Sequence, residues 1–306
     1  MRLITSRSLV RIQPPLLVNA NLKVCSFLRF NPPKAAKGTV IKGIIFYFSG
    51  TGNTEFVAKK YQEYLQVLGY EITIQAIDSL KITPNIENYN LIGVGFPLYA
   101  WNLPINVRKF IEQLPNCQNK DGFIFVTAGG PTPLGALGIT KDLLKKKGIK
   151  VLSAECLEMP SNDNILFSAA DPKSARVQRL RQKAQERIKR IIKTIPIGQS
   201  KIHGDNQFMK LLSRLTGFWL NKIYRPYFHY HKFYVDEKCL PNCRFCEQIC
   251  PVNNIKKLAP QTVVFDRTCI LCARCINCCP VSAIQYGKSK NKHRFQDPDY
   301  NPPLLR

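Results

Sequence analysis

The sequence predicts an α/β protein, a parallel sheet with helices on both faces, followed by a small cysteine-rich module. Two observations carry this. From Gly43 to about Ile195, short apolar runs alternate with amphipathic segments, and strands separated by helices imply a parallel sheet covered on both sides. Nine of the 12 cysteines then lie beyond residue 238, eight of them in two spaced runs that each end in Cys-Pro.

The elements follow in order. Residues 43–48 (Gly-Ile-Ile-Phe-Tyr-Phe) are an unbroken apolar run, as expected of a strand buried on both faces. Val57, Tyr61, Tyr64, Leu65 and Leu68 then recur at helical spacing. Residues 71–77 and 91–96 read as further strands, and Val107, Phe110, Ile111 and Leu114 mark one face of the next helix. Residues 123–127 form the fourth strand. Ala136, Ile139 and Leu143 belong to a helix ended by Gly148. Residues 151–157 are the fifth strand. The unit closes with a basic helix from Lys173 to Lys193, which packs Val177, Leu180, Ala184, Ile188 and Ile191 and carries Glu186 as its single acid.

The first strand–helix turn reads Ser49-Gly50-Thr51-Gly52-Asn53-Thr54. Glycines let the backbone approach a phosphate, and amide groups, hydroxyls and the helix N-terminus supply donors without any Lys or Arg. The turn lacks the Gly-Lys-Ser/Thr of a nucleotide-triphosphate loop and is not the Gly-x-Gly-x-x-Gly of a dinucleotide site. It resembles the Thr/Ser-x-Thr-Gly-x-Thr loop that holds the FMN phosphate in flavodoxins, with Ser49, Thr51, Gly52 and Thr54 in the four positions. That resemblance implies a doubly wound five-stranded sheet in the order 2-1-3-4-5, with the cofactor at the carboxyl ends of strands 1, 3 and 4. Strand 3 runs into Leu98-Tyr99-Ala100-Trp101, two aromatics where flavodoxins stack the flavin, and strand 4 into Thr127, Gly129 and Gly130. Plain hydrophobic packing is the other reading of Tyr99 and Trp101.

The second cysteine run is Cys269-x2-Cys272-x2-Cys275-x3-Cys279-Pro280. This is the spacing by which bacterial ferredoxins hold two [4Fe–4S] clusters, the fourth cysteine reaching the neighbouring cluster. A zinc ribbon also uses Cys-x2-Cys pairs, but leaves the third cysteine and the Cys-Pro ending unexplained. The first run, Cys239-x3-Cys243-x2-Cys246-x3-Cys250-Pro251, has one residue too many in its first gap, where Pro241-Asn242 favours a turn. Crossed ligation assigns Cys239, Cys243, Cys246 and Cys279 to one cluster and Cys269, Cys272, Cys275 and Cys250 to the other. Cys278, Cys25, Cys117 and Cys156 read as ordinary thiols. The joined pattern resembles proteins of anaerobes in which a flavodoxin-like domain is fused to an α+β two-cluster ferredoxin domain.

Five segments are expected. Residues 1–42, without an acid and with eight basic residues, are an organellar-type leader or a start called too far upstream. The second is preferred, because Val10-Arg11-Ile12 is what a transfer-RNA T-arm gives when translated. Residues 43–195 form the FMN domain, 196–235 a helical connector, 236–286 the cluster domain and 287–306 a polar tail. In the connector, Phe208, Leu211, Leu215, Trp219 and Ile223 make an apolar stripe, with Lys210, Arg214, Lys222 and Arg225 around it and Pro226 stopping it. Such a helix could lie on an anionic membrane. Packing between the two domains is the reading taken, with no membrane association. His203, His229, His231 and His293 show no metal-ligand spacing.

The formal net charge of +25 falls by roughly six units if two clusters and a flavin phosphate are bound, which leaves a strongly basic chain. The basic helix reads as a solvated face, or as an attractor of acidic electron carriers; no nucleic-acid module is visible. Free thiols and cluster ligands indicate a reducing, cytoplasmic setting. The resemblance implies electron transfer between two clusters and FMN, as a low-potential carrier or adaptor serving an external donor and acceptor. An FMN-dependent reductase of a small molecule, fed through the clusters, is the alternative. No catalytic constellation is visible.

Overall fold

Five strands pair in parallel at the centre of the N-terminal half: β1 (Lys42–Tyr47), β2 (Glu71–Ala76), β3 (Leu91–Pro97), β4 (Lys120–Ala128) and β5 (Ile149–Glu158), in the order β2-β1-β3-β4-β5. The computed structural model describes residues 40–80, 84–117, 119–165, 167–195, 202 and 205–305, the side chains of 225, 226 and 228 excepted. The readings of residues 1–39, Cys25, His203 and the Arg225 side chain lie outside the described residues. The doubly wound order expected from the flavodoxin-like loop is the observed one.

Apolar patterning explains the layers. Ile44, Ile45 and Phe46 of β1 are all buried, because helices cover both faces of a central parallel strand. On one face α1 (Asn53–Val67) and α4 (Ala175–Ile191) pack Val57, Tyr61, Leu65, Ala184 and Ile188 against Ile45, Phe123 and Phe125. On the other, α2 (Ile105–Gln113) and α3 (Ala136–Lys146) pack Val107, Phe110, Ile111 and Leu144 against Phe46, Val94 and Val126. Each fully buried large apolar side chain contributes about 1.5–3 kcal/mol.

The chain then enters α5 (Gln207–Phe218), a π-helical stretch (Trp219–His229) and a short 3-10 turn (Tyr230–Lys232). Helical structure thus continues past Pro226 instead of stopping there. A π turn is wider than an α turn, and a proline that lacks an N–H fits such irregular segments. The cysteine-rich module follows as β6 (Phe233–Val235), α6 (Phe245–Gln248), β7 (Ile255–Ala259), β8 (Thr262–Phe265), α7 (Arg274–Asn277) and β9 (Ile284–Tyr286). β6 pairs antiparallel with β9, and β7 with β8. Phe233, stacked on Phe265 at 4.6 Å, joins Ile255, Ile276, Ile284 and Tyr286 in its core.

Two expectations are corrected. The apolar stripe of α5 does not pack between the halves. Phe208, Leu211, Leu215 and Trp219 are exposed, while Lys210, Ser213 and Gly217 form the buried face. Polar partners decide this: Lys210 Nζ pairs with Asp142 (3.0 Å) and Asp205 (2.7 Å), Ser213 Oγ accepts from Gly135 N–H (2.8 Å), and Asn102 Nδ2 donates to Ser213 O (2.6 Å). Gly135 is needed here, since a Cβ on it would lie 2.4 Å from Met209 O. Residues 287–306, expected as a polar tail, make buried contacts with the first half of the chain. Phe295 is fully buried, Asp297 N–H donates to Thr51 O (2.8 Å), Tyr300 hydroxyl donates to Ser49 O (2.9 Å), and Arg181 pairs with Asp297.

Candidate functional site

The loop 49–54 joins β1 to α1 and is buried at Ser49, Thr51, Asn53 and Thr54. Gly52, at φ +105°, is the N-cap of α1, and among the described residues no side chain caps the helix. The first amides of α1 therefore lack side-chain acceptors, as an anion-binding helix start requires. Gly52 is also the residue the tail demands: a Cβ there would lie 2.3 Å from Asp297 Cβ and 2.6 Å from Tyr300 Cβ.

What fixes the loop comes from the cysteine-rich module. Arg274, in α7 between Cys272 and Cys275, is 1% exposed. Its guanidinium donates to Ser49 O (2.6 Å), Gly50 O (3.2 Å) and Ile249 O (2.9 Å), and pairs with Asp78, just after β2. Tyr300 donates to Ser49 O as well. In a trans peptide the carbonyl and the next N–H point in opposite directions, so tethering the Ser49 and Gly50 carbonyls turns the Gly50 and Thr51 amides to the other side. Hydroxyls complete the cradle. Ser49 Oγ accepts from Gly52 N–H (3.0 Å), Thr54 Oγ1 contacts Thr127 Oγ1 at 2.8 Å, and Thr51 Oγ1 accepts from Asn162 Nδ2 (3.0 Å).

The turn after β3 is tight. Tyr99 and Asn102 exchange two backbone hydrogen bonds of 3.0 Å, and Ala100 and Trp101 between them take φ of 46° and 56°. Two successive left-handed non-glycine residues are uncommon and are held only by their surroundings, here Asn102 and α5. The turn separates the two aromatics. Trp101 is 49% exposed, whereas the Tyr99 hydroxyl is buried within 3.0 Å of where a Gly50 Cβ would stand, next to Cys272 O. Burial, with Cys272 adding to it, pushes the Tyr99 hydroxyl well above its ordinary value, so it stays a donor. Among the described residues nothing hydrogen-bonds that hydroxyl or Asn53 Oδ1. Leu98 N–H donates to Thr127 O (2.9 Å), and Gly130 faces open space. An uncapped helix start, amides turned outward and the unpartnered Tyr99 hydroxyl are donors that fit a phosphate, while Asn53 Oδ1 is an acceptor for a donor elsewhere on such a ligand.

The eight run cysteines gather in two overlapping sets. Burial pushes the Cys246 thiol up to about 12, and Cys279, Cys243 and Cys239 act on it as neighbours. Burial likewise raises Cys275 well above its ordinary value, with Cys272, Cys269, Cys250 and Cys246 as neighbours. The last cysteine of each run thus sits with the other run. Both Cys-Pro cysteines also accept an amide from four residues on, Asn254 N–H to Cys250 Sγ and Ala283 N–H to Cys279 Sγ, each at 3.2 Å. The x3 gap is closed by buried Lys257, whose ammonium donates to Leu240 O (2.6 Å) and Cys243 O (3.0 Å) and lies 3.8 Å from Cys239 Sγ. Cys278 is buried with Ile249 and Tyr300, and burial raises its thiol, with Cys272 and Cys279 adding to the shift. Among the described residues no group of three or more His, Cys, Asp or Glu is arranged to hold a metal ion.

Arg274, Asp78, Asn162, Tyr300 and Lys257 escape sequence reasoning. The one available signal was Arg274, a charge between two cysteines in an apolar turn.

Residues 44–147 match the flavodoxin domain family. The chain is 34% identical over 119 residues to an uncharacterized protein of Methanocaldococcus jannaschii, covering 38% of this chain and 74% of that protein. Solved structures similar to it include a flavodoxin from an archaeon (15% identity, 50% of this chain and 99% of that chain, TM-score 0.33). Another is the rubredoxin oxygen:oxidoreductase of the anaerobe Desulfovibrio gigas (17% identity, 51% of this chain, TM-score 0.38), of which the chain spans 35%. The chain belongs to the family of the Methanocaldococcus jannaschii protein, and the part of it that matches the flavodoxin domain family is residues 44–147.

Proposed function

We propose that this chain is an electron-transfer protein holding one FMN and two [4Fe–4S] clusters. The observation that supports it most is the crossed gathering of the cysteines: Cys246 with Cys239, Cys243 and Cys279, and Cys275 with Cys250, Cys269 and Cys272, with Cys246 also near Cys275. One-electron clusters beside a two-electron flavin let a chain pair or split electrons. In this reading the Ser49–Thr54 amides and hydroxyls hold the FMN phosphate, and Tyr99, Trp101, Gly129 and Gly130 border the ring. Amides at Asn254 and Ala283 stabilise thiolate charge on Cys250 and Cys279. The Cys272 set is the one next to the flavin, because Cys272 O abuts Gly50. The Cys239 set lies by the exposed Leu240 turn, where an external low-potential donor has access.

Stopped-flow reduction with dithionite or a reduced ferredoxin, followed by a screen of acceptors, tests the assignment. Cluster bleaching should precede flavin bleaching, and protein acceptors should reoxidise the chain. Rapid turnover of one organic substrate without transfer to proteins would replace the carrier reading with that of a reductase.

A further inference from the structure

Among the described residues the connector presents an exposed apolar face, along which Trp219 stacks on Tyr224 of the same stretch. Phe208 (70% exposed), Leu211 (52%), Leu215 (57%), Phe218 (60%), Trp219 (52%) and Tyr227 (64%) recur at helical spacing along α5 and the π-helical stretch. At 1.5 Å per residue the row is roughly 30 Å long. Single exposed apolar residues are ordinary; a continuous row marks an interaction site. The opposite face is already committed to the flavodoxin half through Lys210, Ser213 and Gly217, so the exposed row cannot turn inward without breaking the Lys210 ion pairs.

Charge identifies the occupant. Residues 207–235 contain no Asp or Glu, and Arg214 and Lys222 flank the row with exposed side chains. A second copy of this chain would bring the same cations face to face, on a protein of formal charge +25. An anionic bilayer matches both features: its headgroups attract the cations, and its acyl boundary accepts Phe, Leu and Trp to a shallow depth. Aromatics with one polar edge, here Trp219 and Tyr227, suit that boundary. No helix among the described residues is long and apolar enough to cross a membrane. We propose that α5 and its π-helical extension dock this protein, lying flat, on an anionic lipid surface. Ser213 and Thr216 fasten the same helix to the 99–102 turn, so docking holds the flavin-site rim about one helix diameter, roughly 10 Å, from the bilayer.

Flotation of the full-length protein tests this, with phosphatidylcholine vesicles and with vesicles containing about one third phosphatidylglycerol. The protein should float with the anionic vesicles and remain behind with the neutral ones. Leu215→Ser with Phe218→Ser should lower partitioning about a hundredfold, the factor for losing the burial of two large apolar side chains. Arg214→Glu with Lys222→Glu should abolish the preference for anionic lipid. All four side chains are exposed, so melting and elution volume should stay unchanged and certify the fold. Failure of the unaltered protein to float with anionic vesicles overturns the proposal. So does flotation unaffected by Leu215→Ser with Phe218→Ser. Sedimentation showing a dimer that this pair dissociates, without vesicle binding, assigns the row to a second copy instead.

Discussion

Replacing Arg274 with Met separates the role of that side chain from those of the cysteines around it. The substitution keeps bulk and removes the charge and every donor. It leaves the Asp78 carboxylate, 2% exposed, without its cation, and the Ser49, Gly50 and Ile249 carbonyls without their guanidinium. Removing one member of a buried ion pair costs about 3–5 kcal/mol. Each buried carbonyl left unpaired adds about 1–3 kcal/mol, overlapping with the first figure because the same desolvated site is involved. A loss of about 4 kcal/mol is the working value, nearly a thousandfold in the population of the ordered loop. Two readouts apply: FMN affinity by titration of the full-length protein, and the urea midpoint followed by flavin fluorescence. FMN affinity should fall steeply, since the Gly50 and Thr51 amides are no longer held outward. Adding Asp78→Leu should recover at least half of the loss, because an apolar pair can replace a buried ionic one with little penalty. A single variant that loses less than about 1 kcal/mol, or a double variant as damaged as the single, would show that the Arg274 guanidinium does not hold the loop.

Three further outcomes follow from the same geometry. Thr51→Val with Thr54→Val removes two hydroxyls at nearly constant shape, and should weaken FMN binding about tenfold to a hundredfold while iron content stays unchanged; equal loss of both cofactors would make the loop structural only. Lys257→Met frees the Cys239-x3-Cys243 loop, and with Cys239→Ser it should alter the EPR signal of one cluster and leave the other intact; two unchanged spectra would make Cys239 a bystander. Gly52→Ala places a Cβ against Asp297 and Tyr300 at a backbone conformation unfavourable to alanine, and should destabilise by at least about 1–2 kcal/mol and expose the 287–306 segment to limited proteolysis; an undigested tail would contradict it.

Much of the N-terminal half was legible. β1 and β3 are buried on both faces, which writes unbroken apolar runs into the sequence, and α1 and α4 show their packed stripes at helical spacing. Ser49–Thr54 stood out as a candidate loop because its glycines and hydroxyls are consecutive in the sequence. The rest depends on partners distant in sequence. Arg274 acts on Ser49 and Asp78, about two hundred residues away, and nothing near it in sequence reveals that a carbonyl cage awaits it. Asp297 and Tyr300 looked like part of a polar tail because their function is to cover a glycine. For α5, periodicity located the apolar row but could not tell which side the neighbours would cover. Asp142, Asp205 and Gly135 offered polar and close-packing contacts, and those oriented the helix.

Whether FMN and two [4Fe–4S] clusters reside together on this one chain is read from cofactor content after anaerobic reconstitution. Full-length protein loaded with iron, sulfide and FMN, then freed of excess, should carry about eight irons, about eight sulfides and one FMN, the sum of two cubanes and one flavin. Zinc bound without sulfide would rule out the clusters, and a flavin-free chain with the Ser49–Thr54 loop intact would rule out the flavin.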